Sequence, residues 1–330
     1  MTATAADLGT PGPGAAMRDA SVVVCAYTER RWDILREAIV AALAQRPAPS
    51  EVLVVIDHND ALRARCEAEL PPGVRVLENE GGRGLSGARN TGVRHAAHGV
   101  VVFLDDDAVP EEGWLRELLE PYADASVIGV GGKALPRWST EPPGWLPAEF
   151  LWTVGCSYRG LPTSPAPVRN PIGATMSFRR SVFEVGGFTE GIGRLGTTPL
   201  GCEETEFSIR VRQSAPRAVI LYAPSARVRH LVPPERLTLA YFVSRCWAEG
   251  LSKALVSAQV GTEDALASER AYTLRTLPSG VLRGIRGAFR GDGWAVARAA
   301  TIVAGLVVTS AGYAWGLLRS HTRRGRRPLT

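Results

Sequence analysis

From Ser21 onward, short apolar runs rich in valine, leucine and isoleucine alternate with longer stretches of helical pattern. Ser21–Ala26, Glu51–Ile56, Val74–Leu77 and Val100–Leu104 read as buried strands, with Trp32–Gln45, Asp60–Leu70 and Leu85–Ala97 as helices between them. Strand, helix, strand at this spacing gives βαβ units. The expected fold is α/β, a Rossmann-like, mostly parallel sheet flanked by helices. Ligands of such sheets bind beyond the carboxyl ends of the strands. Tyr27, Thr28, Asp57 and Asp105–Asp107 all fall at strand ends, so they are expected to converge on one cleft.

The strand Val100–Leu104 runs into Asp105, Asp106 and Asp107. Carboxylates crowded at one strand end repel one another and persist at low cost beside a positive charge, most simply a divalent cation with oxygen ligands. An acidic turn before Pro110 is the alternative. The chain has 330 residues, 45% of them hydrophobic, and a net charge of +5. That modest basic excess suits an anionic substrate or membrane surface and argues against a dedicated nucleic-acid site. The five scattered cysteines, with no C-x-x-C spacing, exclude a disulfide framework or a zinc site and read as free thiols.

Gly82, Gly84 and Gly87 match the G-x-G-x-x-G dinucleotide fingerprint. Glu78–Gly81 separates them from the preceding strand, however, and two βα units come first. A glycine-rich turn that brings backbone N–H groups, Gly84 among them, and Arg89 to a phosphate at a helix start fits better. A plain tight turn is the simpler reading.

Residues 136–170, rich in proline, glycine and tryptophan, are expected to form a loop over the cleft. A strand follows in Gly173–Arg179, then an acidic helix start at Glu203 and Glu204, then short strands at Ala218–Leu221 and Ala226–Arg229, with His230 ending the second. Beyond Pro234 the pattern is helical, with Thr238 as a cap. Ala299–Leu318 carries no charged residue and is followed by a basic tail, long enough to span a bilayer but equally suited to an interfacial or core helix. Residues 1–19 are expected to be a flexible leader without secretory-signal character, 20–235 the α/β domain, and 236–330 a helical extension.

These segments, in this order, resemble the family 2 glycosyltransferases of the GT-A fold. Val22–Arg30 resembles the family's first strand and nucleotide loop, Val54–Asp57 its second strand, and Gly84–Gly92 its G-x-x-x-A-R-N-x-G segment. Asp105–Asp107 is similar to the D-x-D element, Gly173–Arg179 to G-A-N-M-x-F-R, and Glu203–Glu204 to the E-D pair. Thr175 stands where asparagine is usual, and Glu204 where aspartate is. The Q-x-x-R-W motif of processive synthases is absent.

The resemblance implies inverting, metal-dependent, non-processive transfer of a sugar from a nucleotide-diphosphate sugar to an acceptor hydroxyl. It implies nucleotide-sugar contacts from Tyr27, Thr28, Glu29, Asp57, Gly84, Arg89, Asp105 and Asp106. Mg2+ or Mn2+ would be held by Asp107, Asp105 and His230, and Glu204 would act as base, with Glu203 as second choice. A carbohydrate or lipid-linked acceptor in cell-envelope glycan assembly, and membrane contact through 283–330 at the cytoplasmic face of the cell membrane, complete the expectation. A nucleotidyltransferase acting on a sugar phosphate is the alternative enzyme class.

Overall fold

The computed structural model describes residues 19–191, 201–261 and 270–324. The expected leader therefore lies outside the described residues except for Asp19. The chain forms two compact units. The first gathers the chain up to Pro136 with Pro162–Gly191 and Phe207–Leu231. The second gathers Arg137–Leu161, the segment ending at Glu206, and the chain from Val232.

The first unit is built on a nine-stranded sheet. β1 (Ala20–Ala26), β2 (Glu51–Ile56), β3 (Val74–Glu78) and β4 (Val100–Asp105) lie within a residue of their expected bounds, and so form the parallel part, ordered β3-β2-β1-β4. Their crossovers are α1 (Trp32–Leu43), α2 (Asp60–Glu69) and α3 (Leu85–His95). Asn59 starts α2 by accepting the Leu62 N–H at 3.0 Å. Beyond β4 the sheet turns antiparallel. β5 (Ala108–Pro110), α4 (Trp114–Leu119), β6 (Val127–Trp138), β7 (Ala166–Pro167) and β8 (Thr175–Arg179) follow, and β8 pairs antiparallel with both β4 and β6. The segment 136–170 is irregular apart from the end of β6, a 3-10 helix at Ala148–Val154, and β7.

The two strands expected at Ala218–Leu221 and Ala226–Arg229 are one, β9 (Val219–Val232). Its burial alternation slips at Tyr222–Ala223, just before Pro224, so the strand absorbs the proline where its inward phase changes. His230 therefore sits within β9 and does not end it.

Alternate residues of β1, β2 and β4 feed two cores. Val22, Val24, Val54 and Val102 pack with Leu35 and Ile39 of α1 on one face. Val23, Val55, Val101 and Phe103 pack with Met176 and Phe178 on the other. A sheet covered on both faces needs unbroken apolar strands, which is the pattern the sequence carries. Gly92 of α3 lies directly against Val23, where a Cβ would clash, so α3 sits close on β1.

In the second unit, α6 (Leu239–Val260) is capped by Thr238, which accepts the Tyr241 N–H at 3.2 Å. α7 (Leu277–Ala288) and α8 (Ala295–Arg324) follow. Phe150, Phe242, Cys246, Leu277 and Ile302 form its core. The helices approach through glycines. A Cβ on Gly312 of α8 would lie 2.5 Å from the Trp247 carbonyl oxygen, and one on Gly284 of α7 would lie 2.7 Å from Ala299 Cβ. Glu149 is buried, and its carboxylate is met by Arg283 and, at 3.8 Å, by Arg159.

Candidate active site

β1 and β4 end side by side, with Cys25 opposite Asp105 in the register. The chain then turns into β5, where Ala108 pairs with His230 of β9. The Leu231 N–H donates to the Asp107 carbonyl at 2.8 Å. This pairing brings Asp107 and His230 together from positions far apart in sequence: Asp107 Oδ1 lies 3.2 Å from His230 Nε2. One ligand-type atom from each of Asp105, Asp107 and His230 falls within a set whose members lie within 4.8 Å of one another. Two carboxylates and an imidazole this close suit the shell of a divalent cation. Beside them, burial pushes the Cys25 thiol up to about 12.

Asp106 takes a different position. Only 4% exposed, it accepts from Arg31 Nη1 at 2.6 Å on Oδ1, while Oδ2 is buried without a hydrogen-bond partner among the described residues. Burial pushes its carboxyl up to about 7, against the pull of Arg31 and with the repulsion of Asp107 and Asp105. Arg31 also reaches Asp107 Oδ2 at 3.0 Å. Burial opposes the guanidinium charge of Arg31, but Asp106 and Asp107 more than compensate and hold it protonated. Sequence reasoning missed Arg31. Its signal was present: a basic residue just past the end of β1, which is the strand beside β4.

Arg89 is 2% exposed, with Nη2 3.4 Å from Asp105 Oδ1 and donating to the Gly173 carbonyl at 3.2 Å. Its guanidinium lies over the rings of Phe103 and Phe188. It therefore steadies Asp105 from beneath. Asp57 ties down the glycine loop: Oδ1 accepts from Asn79 Nδ2 at 2.7 Å and Oδ2 from the Gly84 N–H at 2.9 Å. Gly84 has φ +125°, a conformation that requires glycine, and Gly87 packs on the Gly82 carbonyl. The fingerprint-like glycines thus serve a loop fastened by Asp57 and Asn79. At the end of β1, Tyr27 is exposed with Arg31 5.6 Å from its ring centre, Thr28 Oγ1 accepts the Arg30 N–H, and Glu29 opens a 3-10 turn.

Thr175 is fully buried, and its hydroxyl accepts from Trp114 Nε1 at 2.8 Å. Glu203 and Glu204 stand in the first turn of α5 (Glu203–Ser214), Glu203 buried and Glu204 partly exposed. Phe207 anchors that helix, stacked on Phe183 at 4.8 Å and packed on Phe188 at 4.7 Å.

Residues 21–187 match the profile of the family described as Glycosyl transferase family 2. The glucosyl-dolichyl phosphate glucuronosyltransferase of Haloferax volcanii is 34% identical over 71% of this chain and 75% of its own. Among solved structures, the mannosyltransferase PcManGT from Pyrobaculum calidifontis, in complex with GDP-Man and Mn2+, has a TM-score of 0.54 at 19% identity and covers 91% of this chain and 89% of its own. GalNAc-T7 with UDP, GalNAc and Mn2+ has a TM-score of 0.52 at 16% identity, over 79% of this chain and 57% of its own. The architecture is that of the GT-A transferases. The chain belongs to glycosyl transferase family 2 and is a glycosyltransferase that uses nucleotide sugars.

Proposed function

We propose that this enzyme transfers a single sugar, with inversion, from a nucleoside-diphosphate sugar to an acceptor hydroxyl in the assembly of a lipid-linked or cell-envelope glycan. The observation that carries the reading is the convergence of Asp105, Asp107 and His230 within 4.8 Å beyond the carboxyl end of β4. These residues would hold Mn2+ or Mg2+. A cation bound there neutralises charge on the leaving nucleoside diphosphate as a Lewis acid. The imidazole favours Mn2+ of the two, because Mg2+ prefers all-oxygen shells. Arg89 keeps Asp105 oriented through its 3.4 Å contact, and Arg31 balances the charge of Asp106 and Asp107. Asp57 takes the Gly84 N–H and so fixes the glycine loop, and the exposed ring of Tyr27 suits a nucleobase.

Glu204 is assigned as the base. It is the more exposed of the pair, so its carboxylate can be reached by an acceptor hydroxyl. Buried Glu203 supports the helix start.

The Haloferax relative's name specifies a dolichyl phosphate-linked substrate. That supports a lipid-linked acceptor here, with membrane contact through 283–330 at the cytoplasmic face. The test is a screen of nucleotide sugars with the purified full-length protein. Metal-dependent donor hydrolysis and thermal stabilisation by one nucleoside-diphosphate sugar are expected. Release of pyrophosphate from a nucleoside triphosphate and a sugar phosphate would replace this reading with a nucleotidyltransferase.

A further inference from the structure

Helix α8 holds the one described segment, Ala295–Arg319, that is long and apolar enough to cross a bilayer. Its packing opposes that arrangement. One stripe, through Ile302, Gly305, Gly312 and Gly316, is committed to protein: Gly305 to Phe150 and Phe242, Gly312 to the backbone of Trp247, Gly316 to Ala254. α8 therefore lies along α6, and α6 carries Glu249 with Lys253 at 3.0 Å and Arg245 at 4.0 Å. A spanning α8 would drag that ionic cluster towards the hydrocarbon.

The opposite stripe of α8 is apolar and open. Val296, Val303, Val307 and Leu318 are half to two-thirds exposed. They recur at helical spacing along about 33 Å of helix, and no charged side chain interrupts them from Ala299 to Leu318.

α7 repeats the theme with charge added. Its inner stripe, Leu277, Gly280 and Gly284, is buried. Leu282, Ile285 and Phe289, the last 90% exposed, form an outer apolar stripe with Leu274 of the preceding turn. Arg275, Arg286 and Arg290 are exposed about 100° further round, and among the described residues no carboxylate pairs with them. An apolar stripe bordered by arginines is the signature of a helix lying in a membrane interface: the apolar side enters the acyl boundary and the arginines meet phosphate.

We infer that α7 and α8 form an in-plane docking face for an anionic lipid bilayer, with α8 lying on the membrane and not crossing it. The inference rests on the membrane contact proposed above and specifies its geometry. The bilayer is favoured over a second copy of the chain because, among the described residues, the unpaired charges on this face are all of one sign, which two identical faces would set against each other.

The test uses the full-length protein with vesicles of phosphatidylglycerol and phosphatidylcholine in equal parts, and with phosphatidylcholine alone. Preferential flotation with the anionic vesicles and release by alkaline carbonate are expected. Phe289→Glu and Val307→Glu should each lower the partition coefficient about tenfold, without moving the melting temperature, since both side chains face solvent. Nitroxide labels at Val296→Cys, Val307→Cys and Leu318→Cys should report one shallow depth. A deep Val307→Cys label, with the other two in opposite leaflets, would overturn the in-plane geometry and leave the membrane contact standing. Absence of vesicle binding, or a dimer abolished by Phe289→Glu, would overturn both.

Discussion

Arg31 Nη1 lies 3.0 Å from Asp107 Oδ2, so a carboxylate assigned to the metal already has a counter-ion. Arg31→Ala should therefore separate two properties. Stability should fall by about 2 kcal/mol, because Asp106 is left buried without its partner. Affinity for Mn2+ alone should rise about tenfold, because a positive charge beside the ligand set has gone. Denaturant melts and metal titration read the two effects. A parallel loss of both would mean that Arg31 builds the site and does not merely balance it.

Glu204→Gln keeps the shape of the side chain and removes the proton acceptor. Turnover should drop by about 10²–10⁴-fold with nucleotide affinity unchanged. Glu203→Gln should act mainly on stability, since that side chain is buried in the helix start. Steady-state kinetics on both variants decide the assignment: an active Glu204→Gln beside an inactive Glu203→Gln would move the base by one residue.

Glu51 supplies a pH-dependent tether. Burial would raise its carboxyl, but hydrogen bonds from the Ala97 N–H at 2.7 Å, Ser21 at 2.6 Å and Arg75 at 3.0 Å outweigh it, and the group is held below the usual glutamate range. A carboxyl lowered by folding contributes full stability above its unfolded value and loses it as pH falls through the folded one. Glu51→Gln should cost about 1 kcal/mol at neutral pH, allowing for solvent screening, and the gap should close below about pH 4. Melts of both proteins across that range should converge on the acid side; a constant gap would assign the effect to packing.

Much of this was readable from the residues. β1–β4 and α1–α3 stand close to their expected bounds because β1, β2 and β4 are apolar runs buried on both faces, edge strand β3 keeps apolar Val74, Val76 and Leu77, and each helix has clear edges. β5, α4 and β6 were not read, because their pattern is set by partners distant in sequence: Ala108 pairs with His230, and β6 with β8. Pro224 hid the continuity of β9. Residue types suggested Asp105, Asp107 and His230 as candidate ligands, but a linear sequence shows neither that Arg31 faces Asp106 nor that Arg89 reaches Asp105. Those facts depend on which strands are neighbours. Thr175 marks the same limit: the sequence shows a departure from the family's asparagine, and the structure shows its hydroxyl buried against Trp114.

The central claim is that Asp105, Asp107 and His230 bind a cation through which a nucleoside diphosphate is held. Calorimetry with UDP and GDP, with Mn2+ and then with chelator, tests it most directly on wild type and Asp107→Asn. The account predicts binding of at least one nucleotide by the wild type with Mn2+, loss of that binding in chelator, and at least about tenfold weaker binding by Asp107→Asn, as removal of a charged ligand requires. Equal affinity with Mn2+ and with chelator, or an Asp107→Asn protein that binds as the wild type does, would contradict it.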